Sequence, residues 1–138
     1  MKSMHVISFF AGALVMLAVS TLSQSKASTS NHVYELRVYH AAAGKLDALK
    51  ARFADHTDAI FKKHNLKSIG YWVPEDNKDN LFIYIVEHPS KAEADKNWDA
   101  FQKDPEWVKV KADSEVNGVL ATKVDRTFMD PTEFSKLK

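Results

Sequence analysis

The chain has 138 residues, 45% hydrophobic and 27% charged, which suits one globular domain of ordinary composition. Its formal net charge of +1 offers no basic field for a phosphate backbone, which argues against nucleic acid as a partner. The absence of cysteine excludes disulfides, thiolate catalysis and thiolate metal sites.

Residues 1–27 read as a separate object. Lys2 supplies a short basic start, and Val6 to Leu22 is uncharged and mostly apolar. Ser25 and Ala27 then place small residues at −3 and −1 of a cleavage site after Ala27. That is the anatomy of a secretory signal peptide. Seventeen apolar residues also lie at the low edge for a membrane span, so an uncleaved N-terminal anchor is the alternative. Either reading exports the domain, to the periplasm or outside the cell, and gives it no membrane contact except through this segment. Cleavage leaves 17 basic against 18 acidic residues, a net charge of −1. Residues 28–31 are a polar linker, 32–131 the folded domain and 132–138 a short polar tail.

Within the domain, His32 to His40 alternates as a strand, with Tyr34, Leu36 and Val38 on an apolar face expected to meet helices. Glu35 and Arg37 on the other face are expected to form an ion pair near a sheet rim. Lys45 to His64 carries the apolar period of a helix, with Leu46, Leu49, Phe53, Ile60 and His64 within roughly a 60° arc and His56 on its edge. His56 and His64 lie about 12 Å apart by helical rise, too far to share one metal ion. Asn65 is a suitable left-handed stop.

Lys67 to Pro74 is the second strand, in which Gly70 signals a bulge or a close backbone approach. Asn80 to His88 is the third and is apolar on both alternating faces, so it must be covered on both sides. Its last residues, Glu87 and His88, are expected at the sheet rim. Ser90 and Glu93 have capping-box spacing for a helix from Lys91. Asp104-Pro105 is a cap followed by a first-turn proline for a second helical piece to about Val116. Val119 to Met129 is the last strand.

The order strand, helix, strand, strand, helices, strand is the split β-α-β of α+β ferredoxin-like folds: an antiparallel sheet with its helices on one face. The helices cover one face of Asn80–His88. A second copy packed sheet to sheet would cover the other, because a few hundred Å² of exposed apolar sheet is abnormal for a monomer. The expected assembly is therefore a homodimer forming a shared α/β-barrel.

Several motifs in this order resemble the NIPSNAP family. They are V-Y-E-L-R-V-Y at 33–39, F-A-D-H-T at 53–57, F-K-K-H-N at 61–65, I-G-Y-W at 69–72, W-D-A-F at 98–101 and D-P-E-W at 104–107. The resemblance covers about residues 32–131 and implies a dimeric barrel of ferredoxin-like halves, without a settled activity. The wider barrel superfamily holds ligands in a cleft between sheet and helices and includes cofactor-independent quinol monooxygenases. By that likeness Tyr71, Tyr84, Trp98 and Trp107 are the candidate ligand-binding residues, and His56 and His64 the candidate catalytic bases. No metal or cofactor is called for. The two functional readings are a homodimer that binds a small apolar or aromatic ligand or serves as an interaction module, and a cofactor-independent monooxygenase-like enzyme on a quinol or phenol. The second would need a histidine poised near neutral pH to take the phenolic proton.

The N-terminal reading makes a direct prediction: on expression of the full chain in a bacterial host with an export pathway, intact mass measurement of the exported protein will give a mature chain beginning at Ser28.

Overall fold

Residues 32–137 are described by a computed structural model of the chain. The signal peptide and the linker read from residues 1–31 lie outside them. No helix among the described residues is long and apolar enough to cross a membrane.

The elements follow in the order β1 (Val33–Ala41), α1 (Leu46–Arg52), a π-helical turn (Phe53–Thr57), α2 (Asp58–Lys63), β2 (Lys67–Trp72), β3 (Leu81–His88), α3 (Lys91–Lys103), α4 (Pro105–Ser114) and β4 (Ala121–Met129). The strands form one antiparallel sheet in the order β2-β3-β1-β4, the ferredoxin-like arrangement with β1 and β3 central. Local chemistry sets the boundaries. The Ser90 side chain accepts a hydrogen bond from the Glu93 N–H and starts α3; Asp104 accepts from the Glu106 N–H and starts α4, with Pro105 at its first position. Asn65, at φ 55°, turns the chain out of α2. The pairing of β2 with β3 slips between Ser68 and Gly70, and a Cβ on Gly70 would lie 2.8 Å from the Trp72 indole. The glycine thus allows the ring to lie flat over the strand.

The core between sheet and helices is aromatic. Phe53, Phe61, Phe82, Tyr84, Trp98 and Phe101 are all buried. Phe61 sits at the middle, with ring centroids 5.9 Å from Phe53 and Tyr84, 5.3 Å from Trp98 and 5.0 Å from Phe101. Edge-to-face contacts dominate, as the quadrupoles of aromatic rings prefer.

Four expectations are corrected. The face of β1 turned to the helices is Glu35, Arg37 and Tyr39, not Tyr34, Leu36 and Val38. Register decides this: Glu35, Arg37 and Tyr39 pair with Val86, Tyr84 and Phe82, the residues of β3 that lie under the helices. Glu35 and Arg37 are therefore not a rim pair, and His88 is not at a rim but fully buried. The predicted 45–64 helix contains a π turn, in which the Asp58 N–H bonds to the Phe53 carbonyl five residues back and the Thr57 hydroxyl bonds to the Arg52 carbonyl. The wider turn rotates Arg52 and Thr57 inward and His56 out to solvent. On the opposite face of the sheet, Pro131 and, from the tail, Thr132 and Leu137 border a hollow with Tyr34 and Ile85.

Truncating the central ring tests this packing. Phe61→Ala is expected to lower unfolding free energy in urea by about 3–5 kcal/mol, the usual cost of removing a buried phenylalanine. Phe134→Ala, at a residue 89% exposed, should stay within about 0.5 kcal/mol of the parent.

Candidate functional site

The inverted alternation of β1 buries a carboxylate at the centre of the sheet. Glu35 is fully enclosed. Its Oε1 accepts hydrogen bonds from Arg37 Nη1 at 2.9 Å and Arg126 Nε at 2.6 Å. Its Oε2 accepts from Trp98 Nε1 at 2.6 Å and pairs with His88 Nε2 at 2.8 Å. An ionised carboxylate has only acceptors, so His88 carries its proton on Nε2, which leaves the buried Nδ1 without a partner. Burial alone would raise the Glu35 pKa. The hydrogen bonds from His88, Trp98 and Arg37 and the charge of Arg37 outweigh it and hold the group down at about 2. With every lone-pair direction occupied, Glu35 is an anchor and not a base.

That anchor orients Arg37. The guanidinium lies 4.3 Å from the centre of the Trp98 ring, stacked on it, with Nη1 held by Glu35. Beyond it opens a cleft of about 640 Å³ between β1 and β4 on one side and α3 and α4 on the other. Arg37 and Tyr39 border it from β1, Trp98 and Phe101 from α3, and Trp107 from α4. The Phe101 and Trp107 rings stand 4.5 Å apart. Arg52, whose side chain is 5% exposed, reaches the cleft from the end of α1, paired with Glu115 at 2.9 Å and lying 5.2 Å from the Trp107 ring.

Of the residues singled out from sequence, Trp98 and Trp107 meet in this cleft. Tyr84 lies behind it, fully buried, with its hydroxyl 3.2 Å from that of Tyr39, and burial pushes its pKa well up. Tyr71 is on the β2 side, where it donates to Asp58 at 2.7 Å and borders a separate hollow of about 360 Å³ near Trp72 and Phe82. The two histidines do not converge with these groups. His56 is exposed in a groove between α1 and α4. His64 bonds the Asp104 carboxylate at 2.7 Å. Asp104 also takes Lys63 and caps α4, and its pKa is lowered by His64 first and then by Lys63. His64 thus ties the end of α2 to the start of α4. Sequence reasoning missed Glu35, Arg37, Tyr39, Arg52 and Arg126. A signal existed: charged residues alternating with a tyrosine on a central strand, and Arg126 in phase with Val124 and Phe128 on the last. No three His, Cys, Asp or Glu side chains converge as a metal-ligand set among the described residues.

A ferredoxin-like sheet covered by helices, with a cleft between the two layers, is the class of protein defined here. The NIPSNAP family model matches residues 34–136, and the chain belongs to the NIPSNAP family. Among solved structures it is similar to a NIPSNAP family protein with unknown function from Agrobacterium tumefaciens, with TM-score 0.70 and 23% identity, covering 80% of this chain and 96% of that one. A NIPSNAP-like domain protein from Burkholderia xenovorans matches with TM-score 0.67 and 16% identity over 77% of this chain and 90% of that one. The fold also extends to a putative antibiotic biosynthesis monooxygenase from Caulobacter crescentus, with TM-score 0.51 and 10% identity over 75% and 92% of the two chains. Comparison with curated proteins gives no match.

The depressed pKa of Glu35 ties stability to pH. A carboxylate held below its ordinary value of 4.5 contributes stability that is complete above that value and is lost as pH falls toward about 2. Unfolding free energy is expected to drop through this window, by about 3 kcal/mol from Glu35 alone. Glu35→Gln, which leaves Arg37 and Arg126 without their shared anion, should destabilise by about 3–5 kcal/mol at pH 7 and flatten the slope between pH 4.5 and 2 in urea titrations.

Proposed function

We propose that this NIPSNAP protein is an exported homodimer that binds a small aromatic or apolar molecule in the cleft between β1, β4, α3 and α4. The observation that carries the reading is the cleft itself. Its volume of about 640 Å³ lies within the usual range of small-molecule sites, and it combines aromatic walls with a few oriented polar groups. The histidines expected to act as bases support the binding reading over the oxygenase one. His56 lies in a different groove, and the His64 ring is committed to Asp104. Export rests on the N-terminal segment, whose basic start, apolar stretch and small residues before Ser28 suit a signal peptide.

Dimerisation is supported by the sheet face turned away from the helices. Leu36, Val38, Ile83, Ile85 and Trp72 share it, and Trp72 is 48% exposed. Polar pairs flank this apolar centre, His40 with Asp125 at one end and Glu87 with His32 and Lys67 at the other. An apolar middle with a polar rim is the usual anatomy of an interface. A second copy presents the same surface about a two-fold axis and so satisfies both halves at once. Even three of these side chains per subunit, at roughly 1.5–3 kcal/mol each, contribute more than about 4 kcal/mol before association costs.

Two measurements test the two parts. Light scattering at tens of micromolar should give twice the chain mass, and Ile83→Lys should halve it; a monomeric parent protein would refute the dimer. For the cleft, a panel of small aromatic compounds should raise the melting temperature of the parent protein. Ala112→Trp, an exposed residue of α4 at the cleft wall, should fill the space and abolish that rise without lowering the unliganded melting temperature. No compound-dependent rise in the parent would overturn the ligand-binding reading.

A further inference from the structure

The cleft is richer in donors than an apolar ligand needs. We infer that it is built for a flat aromatic carboxylate, whose two oxygens are received by the Arg37 guanidinium and the Tyr39 hydroxyl. This rests on the cleft being a ligand site and adds the chemistry of the ligand.

Arg37 is fixed in place before any ligand arrives. Glu35 holds Nη1, the guanidinium carbon lies over the Trp98 ring at 4.3 Å, and the side chain is only 14% exposed. Nη2 makes no hydrogen bond to the protein among the described residues, and the residue borders the cleft. The Arg37 Nε is buried and likewise unpartnered, so Glu35 meets only part of the guanidinium's donor capacity.

Tyr39 lies two residues along on the same face of β1, its ring centre 5.9 Å from the Arg37 guanidinium carbon. The Tyr84 hydroxyl is sealed from water, and its single hydrogen-bond partner is the Tyr39 oxygen at 3.2 Å. A buried hydroxyl must donate to the acceptor within reach, so Tyr84 donates to Tyr39. The Tyr39 proton is then left for the cleft. Two adjacent donors on a rigid strand, one of them cationic, fit the two oxygens of a carboxylate.

The surroundings favour the same charge. Lys111 stands at the mouth with no ion pair among the described residues. The one carboxylate that borders the cleft, Glu115, is already held by Arg52. Among the described residues, an anion therefore meets no free negative group on entry. The indole of Trp107, packed against the buried Phe101 ring with centroids 4.5 Å apart, gives the cleft an aromatic wall for the aromatic body.

Isothermal titration with 2-naphthoate and its neutral isostere 2-naphthalenemethanol tests the inference. The parent protein is expected to bind the carboxylate about 10- to 100-fold more tightly, the gain of hydrogen bonds to a charged group. Tyr39→Phe should weaken 2-naphthoate binding several-fold more than 2-naphthalenemethanol binding, and Arg37→Gln should abolish the preference. Because Arg37 also pairs with Glu35, the Tyr39→Phe variant, whose ring packing is conserved, keeps the test valid if Arg37→Gln does not fold. Equal affinity of the parent for both compounds would overturn the carboxylate inference and leave the cleft reading standing. Binding of neither compound would overturn both. A preference for naphthoate that persists undiminished in Tyr39→Phe and Arg37→Gln would overturn the assignment to this pair.

Discussion

The buried carboxylate of Glu35 is the constraint on which the rest of the structure depends. Its four donors come from three other elements and from its own strand: His88 from β3, Trp98 from α3, Arg126 from β4 and Arg37 from β1. Any displacement of α3 over the sheet, or any slip of β4 against β1, breaks at least one of these bonds in a place water does not reach. Burying such charges is costly, and an apolar cluster of equal volume would often be as stable. What the network contributes is a single register and a single helix position, because a partly satisfied buried network is worse than either alternative.

The layer between sheet and helices is divided by this arrangement. On the β2 and β3 side, Phe53, Phe61, Phe82 and Tyr84 fill the space ring against ring. On the β1 and β4 side, the guanidinium of Arg37 and the indole of Trp98 stack on each other and stop short, and the cleft lies beyond them. The filled half provides cohesion and the open half provides room. The π turn at Phe53–Thr57 serves both: Phe53 enters the aromatic core, and Arg52, one residue earlier, reaches across to Glu115 and the Trp107 ring at the cleft. An unbroken α-helix would have placed His56 nearer the core stripe. His56 and His64 thus remain peripheral, one in solvent and one joining α2 to the cap of α4.

Much of the fold was legible in local chemistry. Ser90, Asp104-Pro105 and Asn65 mark helix ends by hydrogen bonds and backbone angles that depend on a few neighbouring residues, and those ends fall where the caps say. Gly70 signalled a bulge for the same reason, and the β2–β3 register slips between Ser68 and Gly70. The site was less legible. Trp98 and Trp107 were found because large aromatics on helix faces are conspicuous, yet the polar floor of the cleft was read as a sheet rim. Assigning the apolar face of a strand to the core is sound when the core is apolar. It fails for β1, where Glu35 and Arg37 enter the interior together with the groups that neutralise them, and those groups stand as far as 91 residues away in the chain.

The sequence by itself determined the order of elements and the antiparallel sheet, since periodicity and capping are properties of short stretches. Only the tertiary structure decided which face of β1 turns inward, where the helix widens, and which aromatic residues border open space instead of filling it. Those outcomes depend on strand register and on hydrogen bonds between residues distant in sequence. A carboxylate is tolerable inside a protein only once its partners have arrived, and no local pattern records that they will.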